Sequence, residues 1–541
     1  MRRYITMFFA IFGAVIFLFP MQGNPDPAKS GQFIKINPDF LVKPHEAHRW
    51  HLIKDSFGPT FAGTQSWSRY LSYLEVQLKR YGVVDMVKNR WTFTHWSTTE
   101  WPDDSGWVLT SDGRPIRVAH YGAYSGSTPA EGITAPLVFY DSASPPSSIE
   151  GKIVVFRTSP PPRPPYDKRF QEWFTLNDYE FMTNPETFPP LFTFVSPSET
   201  VSYDQWWQLR QHLTFSPILK KGKAAGGIIV FDMGYDRLAG LYTFPLYPDI
   251  PWPLGVPLLF VDREAGKNLI EDAKKGKIAN LKLKATIELK ETYQLIGYLP
   301  GRNYGTPADE KILLITHTDG PSISQENGAL GILGILHYFS RIPQAERPRT
   351  LMVYLDNRHY MPTMEPGFSK EDFFSRNPEA RNGVVAIIGL EHLGQVEYRE
   401  VGEVFEPTGK VEPTFLWVRN NQNLIDMAVK AVKEHQLPRC LVQCVERPGV
   451  HGGQQGVWYG LGEVAMKLLG REKGEKTPAF SIMGTQGAYW ATTARIDKFD
   501  RNHFCRQVAV MTQLTGELMW ADMEKIRPTF TKGPGVTHLF R

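Results

Sequence analysis

Three apolar runs in this chain each end in histidine or carboxylate side chains. The first, Lys311–Thr316, runs into His317-Thr318-Asp319-Gly320, with Glu326-Asn327-Gly328 close behind. The second, Thr350–Leu355, runs into Asp356-Asn357-Arg358-His359-Tyr360, and the third, Val384–Leu390, into Glu391-His392-Leu393-Gly394. Imidazole nitrogen and carboxylate oxygen together are the donor set of a borderline or hard divalent ion, zinc before others. One such cluster after a strand is usually an ordinary hydrogen-bonded loop. Three in one domain can meet at a single point and hold an ion there. Glu391 and His392 are adjacent, and neighbours on a strand point to opposite faces. Both therefore reach one point only if the strand has already ended at Glu391. Asn327-Gly328 also reads as plain turn chemistry. His451, in the glycine-rich run His451-Gly452-Gly453-Gln454-Gln455, is either a turn histidine or a further donor.

The elements that must position these groups alternate. Strands are expected at Lys311–Thr316, Thr350–Leu355, Val384–Leu390 and Phe415–Val418, and helices at Ala329–Ser340, Asn423–Glu434 and Phe504–Met519. Alternation of this kind predicts an α/β domain with a mostly parallel, mixed sheet flanked by helices over residues 291–541. Ligands of such sheets bind beyond the carboxyl ends of the strands, where the three clusters fall. Before it, Tyr70, Leu71, Leu74 and Leu78 recur at helical spacing in Trp67–Tyr81, which ends at Gly82, and Trp91-Thr92-Phe93-Thr94 reads as a strand. Residues 115–290 change to short strands and turns: Gly151–Phe156, a short helix Lys221–Ala225, strands Gly226–Phe231 and Val256–Val261, and a helix Gly266–Lys274. Inside this region, 159–216 is rich in proline and aromatics and reads as a long inserted loop.

The chain has 541 residues, enough for two to four domains, and 42% apolar residues, enough for sizeable cores. Its 60 basic and 56 acidic residues nearly balance, which gives no case for nucleic acid. Arg2 and Arg3 precede an apolar run from Ile5 to Phe19 closed by Pro20, the form of a signal peptide over 1–23. Met21-Gln22-Gly23 is a poor cleavage site, so an uncleaved N-terminal anchor is the alternative, and either way the body is expected to be secreted, periplasmic or at the cell surface. A polar tether is expected over roughly 24–45. Three cysteines, Cys440, Cys444 and Cys505, allow at most one disulfide and make no zinc-finger spacing. Nothing in the sequence states the oligomeric state.

Beyond these readings, the segment from Tyr293 to Leu336 resembles the entry to the catalytic domain of the co-catalytic zinc exopeptidases, the group of bacterial leucyl aminopeptidases, glutamate carboxypeptidase and the transferrin receptor. The residues are Ile296-Gly297-Tyr298-Leu299-Pro300-Gly301, then His317-Thr318-Asp319, then Glu326-Asn327-Gly328-Ala329. The 115–290 region is similar to their inserted β-rich protease-associated domain, and residues 24–114, with the Gly58–Thr64 turn, resemble the N-terminal part of their catalytic domain.

The resemblance implies specific roles. His317, Glu326 and Glu391 stand where one metal has its ligands, the last two each a methylene longer than the family's aspartate. Asp319 stands where the family orients that histidine. The family's Glu-Glu pair, base then ligand, falls on Arg358-His359, and its final histidine on Trp490, within Ala488-Tyr489-Trp490-Ala491. Arginine stays protonated and cannot be a general base. The expectation is therefore one ion rather than two, zinc with manganese as the alternative, held by His317, Glu326 and Glu391 with His359 as a further ligand. Arg358 would grip a substrate carboxylate or the oxyanion, and Glu391, Asp356 or a residue of the His451–Gln455 run would supply the missing base or a ligand. The function expected is hydrolysis of a peptide or small amide by metal-activated water. The contrary expectation is a catalytically inactive binding or scaffold protein on the same fold. A serine hydrolase is disfavoured because the catalytic half has no Gly-x-Ser-x-Gly elbow.

Overall fold

The computed structural model describes residues 34–100, 102–158, 181–182, 214–242, 254–361, 370–412, 414–444, 476–484 and 491–529. All lie in one compact unit, Ile34–Arg541. The 1–23 signal or anchor, most of the 159–216 loop, the His451–Gln455 run and Trp490 lie outside the described residues.

Nine strands make the larger sheet, in the order Val84–Ser97, Thr286–Leu299, Thr350–Asp356, Lys311–His317, Val384–Glu391, Ala479–Gly484, Thr414–Val418, Cys440–Cys444 and Phe181–Met182. The four in the middle, from Thr350–Asp356 to Ala479–Gly484, run parallel. They are buried along most of their length, which is why they read as continuous apolar runs rather than as alternating ones. Antiparallel strands flank them, so the sheet is mixed, as expected. Every expected strand and helix of the C-terminal region is present, with ends shifted by at most three residues.

The helix Gly328–Phe339 is buried at every position behind this sheet. Gly328 is required there: a Cβ would stand 2.2 Å from both the Leu390 carbonyl oxygen and Thr316 Oγ1. The helices Gln65–Arg80, Gln422–Glu434 and Arg501–Trp520 complete that core.

Two sequence readings need correction. Residues 34–45 are not a tether: Ile36 and Val42 are buried in the core, and the Ile34 amide donates to Glu517 Oε1 at 3.0 Å. The helix expected at Lys221–Ala225 lies earlier, at 214–221, and the glycine that follows starts a turn. A helix the sequence reading passed over, Pro44–Asp55, buries Ala47, Trp50, His51 and Lys54, one continuous stripe at helical spacing.

A second, eight-stranded sheet is built wholly from residues between Trp107 and Leu283, with its own cores. It takes in Trp107–Ser111, ahead of residue 115. The long ribbon Val84–Ser97 with Thr286–Leu299 carries the chain out to this sheet and back. Cys505 is a free thiol. Among the described residues no helix is long and apolar enough to cross a membrane.

Candidate metal centre

Register brings the first and third clusters together. Ile315 is level with Gly389 across the parallel pair, so two residues further along His317 and Glu391 end their strands side by side. Asp356 is level with His317 on the other flank, and the Thr318 amide and hydroxyl both donate to the Asp356 carbonyl at 2.7 Å, tying the two strand ends.

After Glu391 the strand stops. His392 takes φ +51°, left-handed backbone that a residue other than glycine adopts at a cost. That turn brings His392 to the same side as Glu391. Asn327 holds it: its Oδ1 accepts from the Leu393 amide at 2.9 Å and its Nδ2 donates to the Leu393 carbonyl at 2.7 Å. The Gly394 amide donates to Gln507 Oε1 at 2.7 Å.

His317, Glu391 and His392 therefore converge. One ligand atom from each lies within 4.8 Å of the others, and all three side chains are buried. His317 Nε2 is 4.0 Å from Glu391 Oε1, and His392 Nε2 is 3.8 Å from Glu391 Oε2. His317 Nδ1 is 3.0 Å from the Asp319 carbonyl oxygen. A carbonyl only accepts, so Nδ1 carries the proton and Nε2 presents its lone pair to the cluster. Nε2 has no hydrogen-bond partner among the described residues, which is the state of a donor awaiting a cation.

Electrostatics agree. Burial lowers His317 to about 4. His359 and His392 are held well below the usual imidazole value, by burial first and then by the repulsion between their protonated rings and a protonated His317. All three rings are thus neutral near pH 7, the form that binds metal. Burial pushes the Glu391 carboxyl well above the carboxylate range. A desolvated carboxyl beside two neutral imidazoles fits a divalent cation, which would offset that burial.

The other expected residues sit at different distances from this point. His359 stacks on His317, ring centroids 4.3 Å apart, and is partly buried at the edge of the group. The Asp319 carboxylate accepts from the amides of His359 at 3.3 Å and Tyr360 at 2.7 Å, so it shapes that loop while its main-chain carbonyl orients His317. Burial raises its carboxyl to about 7.

Glu326 is not part of the converging trio. Its Oε1 is held by Lys54 Nζ and Thr60 Oγ1, each at 2.7 Å, with Lys54 1% and Glu326 0% exposed. Its Oε2 has no hydrogen-bond partner among the described residues.

Arg358 is corrected outright. Its side chain is fully buried, with Nε donating to Asp356 Oδ1 at 2.9 Å and Nη2 to Asp356 Oδ2 at 2.7 Å and Asp372 Oδ2 at 2.8 Å. A guanidinium neutralising two internal carboxylates grips no substrate, and Asp356, so bound, is no base.

Two residues of the site lay outside the expected set. His392 was legible only through the condition that the strand end at Glu391. Lys54 was legible as the last member of the stripe 47, 50, 51, 54 on Pro44–Asp55.

No sequence-family profile matches this chain, and no curated protein matches it in sequence. Solved structures do match in shape. A peptidase M28 precursor from Shewanella amazonensis superposes with TM-score 0.54 at 14% identity, over 90% of this chain and 97% of that one. BSAP, a zinc aminopeptidase from Bacillus subtilis, superposes with TM-score 0.51 at 13% identity, over 90% of this chain and 99% of that one. At such identities the likeness speaks to architecture, and it agrees with the exopeptidase resemblance read from the sequence: this chain has the fold of the zinc aminopeptidases of the M28 type.

Proposed function

We propose that this chain is an exported, metal-dependent hydrolase of peptide or amide bonds, working with one ion held by His317, Glu391 and His392, with His359 beside them. The observation that carries the proposal is the convergence of these three buried ligand groups at the carboxyl ends of two adjacent parallel strands. The aminopeptidase fold supports it. The donor set suits zinc, with manganese as the second choice.

When bound, such an ion supplies Lewis acidity toward a carbonyl group and toward water. The chain's own residues do the rest. Asp319 fixes the tautomer of His317 through its carbonyl. Asn327 and Gln507 hold the left-handed turn that delivers His392. Glu391 is the carboxylate of the converging trio and the group there able to take up a proton. Lys54 supplies a fixed positive charge at Glu326, so Glu326 already has its cation and is left out of the proposed ligand set.

The test is elemental analysis of the purified protein, followed by a screen of aminoacyl and N-acyl amides. The expected result is about one equivalent of zinc, lost in His317→Ala and in His392→Ala, together with hydrolysis that is lost in the same variants. Failure to take up zinc or manganese would overturn the metal centre. One bound equivalent without hydrolysis of any amide would favour the binding-protein reading instead.

A further inference from the structure

The turn that delivers His392 is held from behind by a helix far away in sequence. His51, on Pro44–Asp55, is 0% exposed. Its Nδ1 is 2.8 Å from the Ala47 carbonyl oxygen. A carbonyl only accepts, so Nδ1 carries the proton and Nε2 keeps a lone pair. Burial lowers this ring to about 3, although the Ala47 bond opposes it. The lone pair therefore persists at every pH at which imidazoles bind metal.

That lone pair faces Asn327, 276 positions later, with Nε2 3.1 Å from Asn327 Nδ2. The orientation of the Asn327 amide is settled by Leu393, whose amide only donates and whose carbonyl only accepts. Nδ2 has two protons. One goes to the Leu393 carbonyl at 2.7 Å, and the other to His51. Asn327 is itself 0% exposed. Without His51 its second N–H would be buried and unpaired, or the amide would turn from Leu393 to find another partner.

The same imidazole reaches the turn by a second route. It stacks on Phe499, centroids 3.6 Å apart, and meets Phe504 edge-on at 4.6 Å. Phe499 lies against Gly394, where a Cβ would stand 2.6 Å from its ring. Leu393 and Gly394 are thus both braced by groups that rest on His51. The φ of +51° at His392 is a conformation that backbone leaves unless its surroundings hold it.

We propose that His51 is a positioning residue of the metal centre: its Nε2 lone pair locks the Asn327 amide, and through it the left-handed turn that places His392 beside His317 and Glu391. What the turn delivers rests on the metal-centre reading; that His51 holds the turn does not.

The experiment uses the full chain and the variants His51→Phe and His51→Gln. Phenylalanine keeps a ring for the stack and removes the lone pair. Glutamine puts an acceptor oxygen as many bonds from Cβ as Nε2. Circular dichroism checks that each variant folds. Hydrogen exchange of the peptide covering 391–395 is first followed by mass spectrometry in the metal-free protein. Exchange about tenfold faster is expected in His51→Phe and near-wild-type exchange in His51→Gln. Unchanged exchange in His51→Phe, or equal acceleration in both variants, would overturn the proposal. Zinc affinity is then measured by competition with a chromophoric chelator, and cobalt(II) is loaded as a spectroscopic probe. His51→Phe should bind zinc about tenfold more weakly, and His51→Gln within about threefold of the wild type. The visible spectrum of cobalt-loaded His51→Phe should move toward that of His392→Ala, a change that loss of packing alone does not produce. Wild-type zinc affinity and cobalt spectrum in His51→Phe would overturn the link to the metal. A wild type that takes up neither ion would overturn the metal-centre reading, while the exchange result still decides whether His51 holds the turn.

Discussion

The Lys54–Glu326 pair allows a prediction whose size follows from the coordinates. Lys54 Nζ and Glu326 Oε1 are 2.7 Å apart and essentially unexposed. At that separation and an effective dielectric of ~20, the attraction is about 6 kcal/mol. Desolvating two ions costs several kcal/mol each, so the pair as a whole contributes little net stability. Burial lowers the lysine's proton affinity, and Glu326 restores part of it. Removing one partner is a different matter, because the other keeps its desolvation cost. Lys54→Met keeps an unbranched stem of similar length and leaves Glu326 buried beside Thr60 without a cation. It should therefore destabilise the chain by about 3–5 kcal/mol. Adding Glu326→Gln removes the stranded charge, so the double variant should be more stable than Lys54→Met by at least ~2 kcal/mol. Guanidinium denaturation followed by tryptophan fluorescence would measure all four members of the cycle. A Lys54→Met loss below about 1 kcal/mol, or a double variant no better than the sum of its singles, would refute the reasoning. It would mean that water or rearrangement compensates Glu326 more cheaply than the closed geometry implies.

Three further outcomes are expected. His392→Gly, which suits the positive φ, should leave stability within about 1 kcal/mol of the wild type while zinc uptake falls, whereas His392→Val should lose both; dialysis against zinc with parallel thermal scans separates the two. Gly328→Ala should cost about 1–3 kcal/mol, because its Cβ would meet the Leu390 carbonyl and Thr316 Oγ1 at 2.2 Å; a denaturation midpoint equal to wild type would contradict that packing. Burial raises Glu517 from 4.5 to about 7, so the native state holds its proton more tightly than the unfolded chain. The stability this proton contributes is full below about pH 4.5 and is lost as the pH rises to 7. Glu517→Gln should flatten that decline and be the more stable form at pH 8, and a wild-type stability that rises across this window would contradict the assignment.

The sequence by itself determined the elements. The central parallel strands are buried on both faces, so they had to be written as unbroken apolar runs, and their polar ends had to fall where the sheet meets solvent and ligand. That is why His317, Asp356 and Glu391 could be placed at strand ends before any coordinates. The fold class followed from the same alternation, with the zinc-exopeptidase likeness resting on a few short motifs.

Only the tertiary structure decided which of these polar groups meet. His317 and Glu391 become neighbours through a register across two strands that lie far apart in sequence. His392 joins them through a single left-handed residue, held by Asn327 from another element, and no local pattern announces a positive φ at a histidine. Glu326 was drawn away by a partner more remote still, and Arg358 by carboxylates nearer in the chain. Asp356 lies two residues from Arg358, but Asp372 comes from beyond the strand, and Lys54 from a helix some 270 positions earlier, with 272 the separation to Glu326. Motif spacing locates charged side chains along the chain. Long-range ion pairing, which a buried charge cannot do without, determines which of them remain available to a ligand.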